Sequence, residues 1–454
     1  MGNIAWEAVI SKLPVAELEA TLKEFVGPLA QGLPDKRWRR TVPLVKLGTV
    51  RLIIRQMIAG QTPVITAMMR TGNREQGKVW ALAKRAYRLL STSRFTTWQL
   101  TKGLYRLAQA TVAAERVAYL VVAVDPVNFE TPYTEKAEGV CTVRKSTPPA
   151  LNGEARLTKG YPAITATVVN TRVPATTYAR WFSYQSKDFV SQPREIYRAL
   201  RMTRALFPHH QLRFVMDGEG DDQKVFQWVE QRRAEFVIRA IHLDRQVEVW
   251  NDHLQHWEEA YLQDLVDTIY LQETWEVRFH HAGRVRRAKV HVGWLQIRLP
   301  GSPTCLWMIV VEEPDIDRTT VLLTNVPVTD GEVARTLYSD WRLRGRIEHG
   351  YRFDQEQGLD VEDMRVRTLE RMQRLFVLLL AAAQFVFHIA AHWPPEAVAW
   401  LRRLGGKLDR ASDRDGPYLL LRGLSAVWQT VATLSWAKLQ PFPHRLFADH
   451  GSYG

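Results

Sequence analysis

Three acids stand out by type and setting. Asp125 follows the apolar run Ala118–Val124, and Asp217 follows Leu212–Met216. Continuous apolar runs of this length read as strands buried on both faces. Strand ends in α/β sheets are where ligands and catalytic groups gather. The third acid, Glu348, lies in the charged segment Val333–Gln357, whose spacing predicts one long helix. A carboxylate on a buried strand is a rigid ligand for Mg2+, which prefers oxygen donors, phosphate and water. Two such ions about 3.5–4 Å apart activate a water or hydroxyl and stabilise the leaving oxygen in phosphoryl transfer. A lone strand-end aspartate serves equally well as a helix cap or turn residue.

The segment around Glu348 adds basic groups. Trp341, Arg344, Glu348 and Gln355 are spaced by 3, 4 and 7 residues, and Arg352 lies four beyond Glu348. On a continuous helix these positions share one face. A carboxylate flanked by arginines suits a metal–phosphate site, with one group for the cation and others for phosphate oxygens. The competing reading is an exposed helix with i, i+4 ion pairs worth about 0.3–0.5 kcal/mol each.

The elements that must position these acids follow from the pattern. Residues 1–115 read as helical, with apolar periodicity in Val15–Leu29, Arg51–Ile58 and Lys78–Leu90, and with Thr62-Pro63 as a cap and first helical position. Strand signals begin at 117 and continue with Ala163–Val169 and Thr177–Phe182. Helix Pro193–Leu206, strand Leu212–Met216, helix Asp222–Arg232 and strand Glu235–Arg239 come next. Residues 241–330 read as a β-rich insertion containing five tryptophans. Helix returns in 331–395, with Leu369–Ala391 as a second long helix, and 396–454 forms a helical tail. The expected class is therefore α/β (α+β, multidomain), with segments 116–240 and 331–395 on either side of the β-rich insertion.

Composition narrows the function. The chain has 454 residues, a size for about two to four domains. Its net charge is +13, and residues 1–120 hold 19 Lys and Arg against 7 Asp and Glu, twelve of those thirteen charges. Basic residues interleaved with Trp38, Trp80 and Trp98 suit a compact helical DNA-binding module; a bundle with a basic solvated face is the alternative. The cysteines, Cys141 and Cys305, form neither a metal spacing nor a disulfide framework, which fits a reducing cytoplasm. No signal peptide is expected from the N-terminus. Leu375–Ala391 is apolar but short for a membrane span and contains Gln384 and His388, so it reads as a buried helix. No phosphate-binding P-loop or complete dinucleotide loop is present, so no nucleotide cofactor is expected. His209-His210 and His280-His281 lack partners at metal spacing.

The ordered set Asp125, Asp217 and Glu348, with a β-rich segment between the second and third acids, resembles the DDE transposases of bacterial insertion sequences. The segment from Trp341 to Gln355 is similar to the family's signature helix, Tyr-x2-Arg-x3-Glu-x6-Lys. The run Arg344-Gly345-Arg346-Ile347-Glu348 sits on the family's Arg-Trp-x-Ile-Glu, with Gly for Trp. Leu322-Leu323-Thr324-Asn325, Asp217-Gly218 and Phe236-Val237-Ile238-Arg239 also look like the family. The resemblance covers roughly residues 45–390. Trp341 replaces the signature Tyr and loses its phenol hydrogen bond; Gln355 replaces the signature Lys and loses a charge.

The resemblance implies an RNase H-like core in which Asp125, Asp217 and Glu348 hold two Mg2+ ions, with Mn2+ as a substitute. It implies cleavage at the terminal inverted repeats of an element and strand transfer into target DNA, often through hairpin ends, within a homodimeric synaptic complex. It places the protein in the bacterial cytoplasm with the nucleoid. Trp341, Arg344, Arg352 and Gln355 would contact DNA, and Trp294 or Trp307 would stack an extruded base. A decayed relative that binds without cutting, and a non-mobile nuclease with the same core, are the competing readings.

Overall fold

The computed structural model describes residues 12–31, 43–71, 78–93, 96–132, 134–145, 156–251, 253–281, 284–302, 304–314, 318–347, 358–406 and 416–439. Glu348, Arg352, Gln355 and Trp38 lie outside the described residues. The described chain opens with helices α1 (Val15–Phe25), α2 (Gly27–Gln31), α3 (Pro43–Gly60), α4 (Ile65–Thr71), α5 (Lys78–Ser91) and α6 (Thr97–Glu115). Strands β1 (Leu120–Glu130), β2 (Cys141–Arg144), β3 (Leu157–Val168) and β4 (Ala175–Trp181) follow. Then come α7 (Gln192–Leu206), β5 (Leu212–Met216), α8 (Gln223–Gln231) and β6 (Glu235–Arg239). Next are β7 (Gln246–Asn251), β8 (His256–Tyr261), α9 (Leu262–Thr268), β9 (Glu273–His281), β10 (Arg284–Arg298), β11 (Cys305–Glu313) and β12 (Arg318–Thr324). The last described elements are α10 (Gly331–Arg342), α11 (Leu369–His392), α12 (Pro395–Leu404) and α13 (Pro417–Leu439).

All twelve strands join one mixed sheet, in the order β2-β3-β1-β5-β6-β12-β11-β10-β7-β8, with β4 added to β3 and β9 to β10. Its centre is β4-β3-β1 antiparallel, then β5 and β6 parallel to β1. The segment expected as an insertion extends this same sheet, because β12 pairs antiparallel with β6. Strands β2 and β8 and helix α9 had no clear sequence signal.

Side-chain alternation assigns the faces. Arg213 of β5 reaches Asp340 of α10, so α10 covers the face bearing Arg213 and Val215. Phe236 of β6, aligned with Phe214, stacks on Phe226 of α8 at 4.9 Å, so α8 lies on the opposite face. Helix α7 packs beside α8 and against β4, β3 and β1. It starts where Ser191 accepts a hydrogen bond from the Arg194 amide (3.3 Å) with Pro193 in its first turn. Asp330 starts α10 in the same way, accepting from the Glu332 and Val333 amides at 3.0 Å each.

The apolar helix α11 is long and apolar enough to cross a membrane by length and composition, yet 72% of its apolar window is buried within the fold. Its Phe376 packs 5.6 Å from both Phe129 of β1 and Trp181 of β4. Its buried Arg374 donates to the Leu90 and Thr92 carbonyls at the end of α5, a cation at a helix C-terminus. Helix α3 packs on α11 and α13, where Ser425 donates to the Ala59 carbonyl (2.6 Å). The basic N-terminal helices thus share one continuous core with the sheet instead of forming a detached module.

Two helix expectations change. The segment 15–29 divides into α1 and α2 around Val26. The helix expected over 333–357 stops at Arg342, and three-residue hydrogen bonds carry the chain on, Arg346 N to Leu343 O and Ile347 N to Arg344 O, both 2.9 Å. The break is the turn at Leu343 and Arg344, and helix resumes at Gly345, whose backbone freedom weakens an α-helix by about 1 kcal/mol. Trp341 and Arg344 therefore do not sit on one uninterrupted α-helical face.

Candidate active site

Asp125 does not end its strand: β1 continues to Glu130. What ends there is the parallel pairing. Positions Val121 and Ala123 align with Arg213 and Val215 of β5, and no β1 residue beyond Ala123 pairs with β5. The Leu120 amide donates toward β5 at Gln211, so by alternation the nitrogen of Pro126 also points to that side. Proline has no N–H to give, and this is a place in a sheet that tolerates it. Beyond it β1 runs on with β3 alone, with Asp125 opposite Thr165.

Extending the register by two residues aligns Asp125 with Asp217, whose backbone is still extended (φ −81°, ψ −174°). By alternation from Ala123 and Val215, both side chains fall on the face that α10 covers. Asp125 is half-buried.

Asp217 is held from three directions. Its Oδ1 accepts from the Gly218 amide (2.9 Å) and pairs with Arg239 Nε (2.7 Å), while Oδ2 lies 3.5 Å from Arg344 Nη1. A Cβ at Gly218 would meet Ile241 Cγ2 at 2.2 Å, so any other residue there must displace the Ile241 side chain. The nearby acids have other duties. Asp221 is buried, accepts from the Ile241 and His242 amides (2.8 and 3.0 Å) and pairs with Arg245 at 2.6 Å. Asp222 caps α8 by accepting from the Lys224 amide.

Trp341 is 4% exposed and donates its indole N–H to the Met216 carbonyl at 3.0 Å. It anchors α10 to the residue before Asp217, and its buried ring presents no DNA-facing surface. The Arg344 guanidinium lies 5.3 Å from the Trp341 ring centre, so the indole also places Arg344 beside Asp217. Below them, Arg213 bridges Asp340 and Glu235 (2.6 Å), and Tyr119 donates to Asp340 at 3.0 Å. Burial pushes the Asp340 carboxyl up, against the pull of Arg213.

Trp294 of β10 and Trp307 of β11 are half-buried diagonal neighbours on one face of the sheet, since Trp294 pairs with Ile309 and Gln296 with Trp307. Both pack against the core. On α5, Trp80, Lys84 and Arg88 recur every four residues on one exposed face.

Sequence reasoning missed Arg239, although it closes the run Phe236–Arg239. It also missed a cavity of about 440 Å³ at the same sheet edge, lined by Asn128, Arg144, Tyr184, Gln192 and Glu219. These residues come from separated segments, and only the fold brings them together.

Among the described residues no three His, Cys, Asp or Glu side chains converge on one point. Two carboxylates at the ends of neighbouring strand segments nevertheless supply the oxygen donor type that Mg2+ prefers.

No family model matches the chain, and no curated protein sequence matches it. Among solved structures the chain is similar to a piggyBac transposase synaptic complex with hairpin DNA. The TM-score is 0.43 and the identity 8%, over 99% of this chain and 85% of that one. A likeness of that degree carries no argument.

Proposed function

We propose that the protein is a DNA transposase of the insertion-sequence type, performing metal-dependent strand cleavage and strand transfer on a core of RNase H-like order. The observation that carries this reading is the register of the β1–β5 parallel pair, whose last aligned residues, Ala123 and Val215, each stand two before an aspartate, Asp125 and Asp217. The order β4-β3-β1-β5-β6, three antiparallel strands followed by two parallel ones, supports it. Asp125 and Asp217, with Glu348 in the segment after α10, would hold two Mg2+ ions, or Mn2+ in their place. Those ions, when bound, supply the activation of a water or 3′-hydroxyl and neutralise charge on the leaving oxygen.

The rest of the task falls to side chains. Arg239 and Arg344 fix the Asp217 carboxylate and add positive charge where a phosphodiester arrives. Trp341 keeps Arg344 and the Asp217 turn in place. The partner is double-stranded DNA, as element ends and as target, engaged by a homodimer in the bacterial cytoplasm. Arg352 and Gln355 would meet the backbone near the cut.

The two arginines on Asp217 also favour a second reading, a relative that binds DNA without cutting it, since they already neutralise the carboxylate that a cation would use. One assay separates the two: labelled DNA carrying the element's own ends, with Mg2+ or EDTA, for wild type and Glu348→Gln. Metal-dependent nicks at the element boundary, lost in Glu348→Gln while binding persists, support the transposase. Specific binding with no cut in Mg2+ supports the second reading.

A further inference from the structure

The acids lie on the α10 face of the sheet, and the opposite face carries a charged cleft with no place in that chemistry. Helices α7 and α8 pack side by side there. Between them is a cleft of about 420 Å³, lined by Arg194, Tyr197, Arg198, Arg201, Lys224 and Trp228, with no carboxylate among its lining residues. Arg194, Arg198 and Arg201 are spaced by four and three, so they form one stripe along α7. Lys224 and Trp228, four apart, face them from α8.

The charges are differently committed. Arg198 is held by the buried Glu195 (2.6 Å) and by the Asp188 carbonyl. Arg194, Arg201 and Lys224 are exposed and form no salt bridge among the described residues. The Tyr197 hydroxyl, buried at the cleft wall, has no hydrogen-bond partner among the described residues. Arg232 adds a further cation 5.8 Å from the Trp228 ring centre. Three exposed cations without a salt bridge, set around an aromatic floor, form a surface that phosphates of a polyanion would occupy with release of counterions.

Position supplies the rest. Strands β4, β5 and β6 run parallel to one another and end at the edge where the acids lie, and α7 and α8 follow β4 and β5 there. Gln192, in the first turn of α7, lines the cavity that also holds Asn128 and Glu219. Arg194 and Lys224, in the first turns of their helices, therefore stand at the edge where the acids emerge, and Arg201 stands further down the cleft.

We infer that the α7–α8 cleft is a second DNA-backbone site, which takes the duplex as it passes over the sheet edge away from the acids. This inference rests on the proposed action on DNA. Phosphates would pair with Arg194, Arg201 and Lys224, contacts that position a duplex without reading its sequence.

The test compares wild type, Arg194→Gln/Arg201→Gln/Lys224→Gln, and Arg403→Gln/Arg422→Gln as a control for charge lost elsewhere on the surface. Duplex DNA of the element end, with flanking sequence, is titrated at several salt concentrations. The slope of log K against log salt falls by about 0.9 for each phosphate contact removed. The triple variant should lose about 2–3 from the slope and the control should not, with melting temperatures unchanged. Acetylation of Lys224, read by mass spectrometry, should be suppressed by the duplex in wild type. An unchanged slope, an equal loss in the control, or full Lys224 acetylation with DNA bound overturns the cleft. Protection by duplex RNA but not by duplex DNA also overturns it, in favour of another polyanion. Failure of the wild type to bind any DNA defeats the proposed function itself, a distinguishable result.

Discussion

Asp125 and Asp217 each lie two residues past the last aligned pair of the β1–β5 register, Ala123 and Val215, on the face that α10 covers. Neither position is at a free strand tip in the same sense. Asp217 ends β5, whereas Asp125 marks where β1 leaves β5 and continues with β3. If this alignment forms a cation site, Asp125→Asn and Asp217→Asn each weaken Mn2+ binding, measured by calorimetry without DNA. The loss should exceed the roughly 10–100-fold that removal of an outer-shell partner costs. Asp222→Asn, at a helix cap, should leave binding unchanged.

Arg344 shares Asp217 with Arg239, and a guanidinium on a carboxylate opposes a divalent cation at the same oxygens. Arg344→Gln is therefore expected to move two readouts in opposite directions. Mn2+ should bind more tightly by calorimetry, while the rate of DNA nicking falls because the phosphodiester loses a charged donor.

Trp341 acts through packing. Trp341→Phe keeps a ring but leaves the buried Met216 carbonyl without its donor, which costs about 1–3 kcal/mol in urea unfolding. DNA affinity should not change, since the indole is buried. A large loss of affinity without loss of stability would place the ring against DNA after all.

A histidine pair in the apolar helix α11 sets a limit at low pH. His388 lies against Phe25, with its ring 4.4 Å from His392, and burial followed by the His392 charge lowers its pKa to about 4 from 6.5. Above pH 6.5 both folded and unfolded chains hold it neutral, so it has no effect. As pH falls from 6.5 to 4 the unfolded chain takes up a proton that the fold refuses, and stability is lost across that window. Solvent screening of this half-buried site keeps the effect near 1 kcal/mol. The melting temperature of His388→Gln should fall less than that of wild type over the same range.

Much of the core was legible because its signals are local. The runs around Asp125 and Asp217 are apolar without alternation, as strands covered on both faces must be, and β5 and β6 match their expected bounds residue for residue. The helix expected from Pro193 to Leu206 matches α7 to within one residue at its start. What was not legible depends on distant pairing. The join of β12 to β6, which merges the supposed insertion with the core sheet, leaves no local trace. The continuation of β1 past Pro126 depends on which side of the strand lacks a partner. The burial of Trp341 turns on an acceptor 125 residues away in sequence, the Met216 carbonyl. Glu348, which the sequence reading proposed as the third acid, lies outside the described residues.

The most direct measurement is strand transfer. Pre-cleaved element ends bearing a free 3′-hydroxyl are mixed with a target plasmid, Mg2+ and either wild type or Asp217→Asn. The account predicts joined products with wild type, none in EDTA, and none with Asp217→Asn at unchanged DNA binding. Joining that survives Asp217→Asn, or that proceeds in EDTA, would contradict it.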